Sequence, residues 1–109
     1  MTDSMELLRL RREVDLVDLG LIDLLATRQR LIVAAAAVRG DRAPIQDLER
    51  EAAVLAGIEA AAPSAGLSPE IALPVWTAIL EASLGYERRI RSGGPALAEN
   101  GTCCGACGS

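Results

Sequence analysis

The chain has no histidine, no lysine and no phenylalanine, and its aromatic residues stop at Trp76 and Tyr86. Each absence closes off chemistry. Without histidine there is no Ser-His or Cys-His nucleophile pair and no His-ligated metal. Without lysine there is no Schiff base. Two aromatics among 109 residues offer no platform for stacking bases, and a net charge of −4 with no basic tract offers nothing to neutralise phosphates, so a nucleic-acid partner is not expected. The apolar runs are too short to cross a membrane and no signal peptide is visible, so the reading is a cytoplasmic protein with no membrane partner.

What remains is helix-forming and arginine-rich. Half the residues are hydrophobic, with alanine and leucine dominant and β-branched residues scarce, which favours an all-α fold. All eleven basic residues are arginines. A GC-rich coding bias accounts for most of that and for the alanines. It still means that the only cation on offer is guanidinium, which grips carboxylates through two parallel hydrogen bonds.

The spacing predicts three helices. The first runs from about Ser4 to Arg39, capped by Asp3 or Ser4, with Glu6 at capping-box spacing from Asp3. Along it Leu10, Val14, Val17, Leu21, Leu24, Arg28, Leu31, Ala35 and Val38 alternate at intervals of four and three, a heptad seam whose only charged member is Arg28. A helix of roughly 35 residues is about 50 Å long, whereas a globule of this chain length is about 35 Å across. The helix must therefore protrude, and a protruding apolar seam needs a partner chain: the expectation is a homodimer with intertwined first helices.

"RGDRAPIQ" (39–46) is a loop. The second helix starts at Asp47 as its cap and ends near Ala62, with Leu48, Ala52, Leu55 and Glu59 on one stripe and Ile58 beside it. "PSAGL" connects to a third helix capped by Ser68, with Pro69 at its first position, and running to about Arg91. Pro74 costs that helix a hydrogen bond, which predicts a kink or a later start. The domain is expected to span residues 1–91, with 92–109, "SGGPALAENGTCCGACGS", as a flexible tail. The thiols of Cys103, Cys104 and Cys107 lack a fourth ligand nearby, so no metal site is expected there, although two chains could pool them or use them in redox chemistry.

Several charged residues fall into helical register. Arg28 and Arg39 are eleven residues apart, pointing within about 20° of each other with about 16 Å between their backbones, a gap that suits a small dicarboxylate. Arg11 lies about 25 Å along the helix from Arg28 and about 100° round it, so it serves that pocket only from a partner subunit. Asp47, Arg50 and Glu51 share a face, as do Ser83 and Glu87. Each spacing alone suits a solvated surface equally well, and Arg28 is also explained by snorkelling or by an ion pair with Asp23 or Glu51.

Taken together, "LRREVDLVDLGLIDLLATRQRL", "PIQDLEREAAVL" and "ILEASLGYERRI" resemble the all-helical (type II) chorismate mutase family, in its order and nearly its spacing, over about residues 7–91. The resemblance implies a three-helix protomer that dimerises through entwined first helices and shares its active sites between subunits. It implies that Arg28, and Arg11 of the other subunit, bind the substrate carboxylates; that Asp47 and Glu51 hold the ring hydroxyl, with Arg50 positioning that side; and that Ser83 contacts the ring carboxylate. It places Arg39 and Glu87 at the ether oxygen as the catalytic pair, where the family usually has lysine and often glutamine. The reaction implied is the [3,3] rearrangement of chorismate to prephenate, with no cofactor and no metal. It asks only that a dianion be held compact and that charge developing on the ether oxygen be stabilised. Glu87 donates to that oxygen only when protonated, which predicts a rate falling as pH rises. Relatives in the family act on isochorismate as a pyruvate lyase or rearrange 4-amino-4-deoxychorismate. A non-catalytic regulatory member and a purely structural helical dimer are the remaining alternatives.

Overall fold

A computed structural model describes residues 4–93; the tail from residue 94, with its three cysteines, and Asp3 lie outside the described residues. The described chain is all-helical and contains no strand: α1 (Met5–Arg39), α2 (Leu48–Ala61), a 3-10 turn (Pro63–Ala65) and α3 (Pro69–Arg91). It divides into two units, one ending at Ala35 and the other starting at Ala36, each described here by itself.

The first unit is the bulk of α1. Ser4 supplies its cap: the hydroxyl accepts the Leu7 amide at 3.1 Å and the carbonyl accepts the Leu8 amide at 3.1 Å. None of its described residues is buried. The seam stands open, from Leu10 at 43% exposure through Val17 at 62% to Leu24 at 68% and Leu31 at 65%. Arg28, in the same line, is half-buried. The apolar surface also extends beyond the seam, because Leu16, Leu19 and Ile22 lie off that line and are equally exposed.

The second unit is a helical hairpin with its own small core. α1 ends where Gly40, at φ +85°, takes the left-handed conformation and donates its amide to Ala36 O. Asp47 caps α2, accepting the Arg50 amide on Oδ1 at 3.0 Å. At the other end Ala62 O accepts both the Ala65 and Leu67 amides, and Gly66 turns the chain at φ +77°. Ser68 caps α3 through the Glu70 amide, with Pro69 in the first turn, as the sequence predicts. Pro74 lies inside α3, so the later start is ruled out; the helix begins at Pro69 and carries the proline in its second turn.

α2 and α3 pack against each other, and among the described residues the two buried side chains are both alanines: Ala62 at 5% and Ala72 at 0% exposure. Small residues there let the backbones approach closely. The covered face of α2 differs from the stripe expected from sequence. Leu48 and Glu59 are exposed, whereas Glu51, Val54, Leu55 and Ile58 are partly covered and lead to Ala62. Leu48 is exposed at the very first helical position, directly after the cap Asp47. On α3 the covered positions recur at helical spacing: Ala72 and Leu73, Trp76, Ile79 and Leu80, Ser83 and Leu84, Tyr86 and Glu87, Ile90 and Arg91.

Candidate active site

Six of the eight candidate residues belong to the second unit: Arg39, Asp47, Arg50, Glu51, Ser83 and Glu87. The other two, Arg11 and Arg28, belong to the first.

The sharpest feature of the second unit is the pair that sequence reading assigned to the ether oxygen. Arg39, the last residue of α1, sets Nη1 at 3.7 Å from Glu87 Oε2 of α3. The Glu87 side chain is 13% exposed and that of Arg39 34%. Partial exposure limits what such a pair adds to stability, to about 1 kcal/mol or less. Its value is geometric. Arg39 Nη2 also donates to the Pro44 carbonyl and lies 3.5 Å from that of Ile45. The loop after α1 thus folds back to hold the side chain that ends α1. A guanidinium has five N–H donors in a rigid plane, so two fixed acceptors on one edge set the direction of the rest.

Glu51 on α2 is partly covered, and so is Ser83 on α3, one turn before Glu87. Asp47 and Arg50 are exposed at the start of α2. Asp47 has a local duty that sequence also indicated, since one oxygen of its carboxylate caps the helix. On α1, Arg28 is half-buried and Arg11 exposed. Among the described residues no cluster of three or more His, Cys, Asp or Glu side chains is placed to hold a metal ion, and no helix is long and apolar enough to cross a membrane.

One residue of this neighbourhood escaped the sequence reading. Arg91 donates to the carbonyls of Gly40 and Ala43, in the same loop that holds Arg39. The signal was present: Ser83, Glu87 and Arg91 are successive steps of four along one face of α3. It was hidden because an arginine in the last turn of a helix is ordinary, given the favourable interaction of cations with that end.

The signature of the chorismate mutase type II family matches residues 10–88. The chain belongs to that family. No curated protein and no solved structure gives a significant match. The chorismate mutase match spans both units and all eight candidate positions, from Arg11 to Glu87.

Proposed function

We propose that the protein is a chorismate mutase in the strict sense, an isomerase that converts chorismate to prephenate by the [3,3] shift, acting as a homodimer with sites shared between subunits. Membership in the chorismate mutase type II family is the observation that carries this reading.

The division of labour follows from charge. Chorismate carries two carboxylates, and its reactive shape is compact. Arg28, with Arg11 of the second subunit, binds the carboxylate of the pyruvyl side chain. Ser83 binds the ring carboxylate, and Asp47 and Glu51 accept from the ring hydroxyl, with Arg50 beside them. Asp47 does so with the oxygen that does not cap α2. Holding the dianion in this shape converts a rare conformer into the bound one. As the ether C–O bond breaks, negative charge grows on the oxygen, and Arg39 donates to it. Donors fixed in advance are worth most where charge develops, because they need no reorganisation during reaction. The anchoring of Arg39 by Glu87 and the Pro44 carbonyl supports that role.

The open apolar seam of α1 supports the dimer, since a stripe of that length on a lone chain is costly in water. A second copy brings the same stripe, and symmetric self-association is the commonest way such faces are covered.

The test is to incubate the purified protein separately with chorismate, isochorismate and 4-amino-4-deoxychorismate and identify the products. Prephenate from chorismate, formed faster than in buffer, is the expected result. Pyruvate released from isochorismate identifies the lyase, and turnover of the amino analogue alone identifies the specialised mutase. No turnover of any of the three marks a non-catalytic member of the family.

A further inference from the structure

We infer that Arg91 is a positioning residue for the catalytic guanidinium, acting through the loop 40–45; this rests on the reading of Arg39 as the donor to the ether oxygen.

Arg91 is half-buried in the last turn of α3, three residues beyond the span matched by the family signature. An arginine there normally turns to solvent or to its own helix carbonyls. This one reaches across to a different segment. Nη1 donates to Ala43 O, 48 residues away in sequence, and Nη2 lies 3.3 Å from Gly40 O, 51 residues away. The two acceptors are also joined to each other, the Ala43 amide donating to Gly40 O at 3.3 Å. The planar fork therefore clamps a single turn of backbone at two points, which a lysine ammonium on its flexible stem cannot do with the same fixed geometry.

That turn is the one that aims Arg39. Gly40 follows Arg39 directly, and the carbonyls of Pro44 and Ile45, which receive Arg39 Nη2, follow Ala43 directly. Glu87, one helical turn before Arg91 on the same face of α3, receives Nη1. The connections form a ring: Arg91 to the loop, the loop to Arg39, Arg39 to Glu87, and Glu87 back along α3 to Arg91. Arg39 is held by backbone carbonyls, and a backbone turn with no regular ladder of its own is only as fixed as what grips it. Removing Arg91 frees the loop and lets the Arg39 donors wander. Misplacement of a reacting group by about 1 Å is enough to cost on the order of 100-fold in rate.

The experiment compares the full chain with Arg91→Met, which keeps the stem and removes the donors, and Arg91→Lys, which keeps the charge and removes the fork. Two readouts are taken: the 15N order parameter of the Arg39 Nε–Hε bond, and kcat and KM with chorismate. In Arg91→Met the Arg39 order parameter falls and kcat drops by about 10-fold or more with little change in KM, the mark of an interaction needed at the transition state. Arg91→Lys is intermediate. In an Arg39→Met background, Arg91→Met brings no further loss, because its effect passes through Arg39. The inference is overturned by an unchanged Arg39 order parameter in the variants, or by an equal fold loss in both backgrounds. If Arg91→Met fails to fold, the Arg39 order parameter in Arg91→Lys decides by the same criterion. If Arg39→Met is as active as the unaltered protein, the assignment of Arg39 to the ether oxygen fails, while the order parameter still judges whether Arg91 positions Arg39.

Discussion

The two units of this chain hold themselves in different ways. From Ala36 onward there is a hairpin with capped helices, a left-handed glycine at each sharp turn, and alanines buried between α2 and α3. Up to Ala35 there is one helix with leucines on several sides and no buried residue. Among the described residues most of the exposed large apolar side chains lie in the first unit, and the two buried alanines lie in the second. What the contrast teaches is how the two proposals divide between the units: α1 offers the exposed apolar length that the proposed second copy would cover, and the second unit holds the loop whose carbonyls receive Arg39.

The comparison breaks first at the seam. Leu24→Glu puts a charge into the stripe and is expected to convert the proposed dimer to monomer, with loss of activity and of helical signal, as followed by sedimentation and circular dichroism. A dimer unaffected by this change would mean that the seam is not the interface. Arg28→Leu, four residues on, has the opposite effect on assembly and the same effect on turnover. It completes the apolar line and raises the thermal midpoint, while kcat/KM falls by about 1000-fold, at the upper end of what one lost electrostatic contact costs. A purely structural dimer would show the stabilisation with no activity to lose.

A smaller effect sharpens the hairpin side. Glu87→Ala removes the carboxylate beside Arg39 and is expected to lower kcat by about 10-fold with little change in KM, whereas Glu87→Gln, which keeps an acceptor for Arg39 and adds an N–H donor, holds kcat near that of the parent. A kcat unchanged in Glu87→Ala would remove Glu87 as the anchor of Arg39. The smallest effect is at Asp47. Asp47→Ala costs about 1 kcal/mol of stability through the lost cap, and Asp47→Asn restores most of it. Both changes weaken substrate binding, which separates the cap from the contact to the ring hydroxyl by thermal melts alongside KM.

Much of the fold was legible because local signals fixed it. Ser4, Asp47 and Ser68 each cap a helix that the apolar spacing had already outlined, and Pro69 and Gly40 punctuate as their chemistry demands. On α2 the stripe read from spacing coincides with the covered face only in part: Leu55 and Ile58 are partly covered with Glu51 and Val54, while Leu48, Ala52 and Glu59 are exposed, because helical spacing repeats on every side of an alanine-rich helix and tertiary packing selects the face. In the candidate site, Arg39 and Glu87 were named from sequence and are brought within ion-pair distance. Arg91 was not named, because its partners are backbone carbonyls of a loop, and a sequence does not display which carbonyls a turn will present.

The central claim is that guanidinium groups from two chains enclose one doubly negative substrate. Subunit complementation tests it most directly. Arg11→Ala and Arg28→Ala, each inactive alone, are unfolded together, refolded as a mixture and assayed with chorismate. In a symmetric dimer with shared sites, half the mixture is heterodimer and each heterodimer has one intact site, so about a quarter of the parent activity returns. A mixture as inactive as its two components would contradict the account.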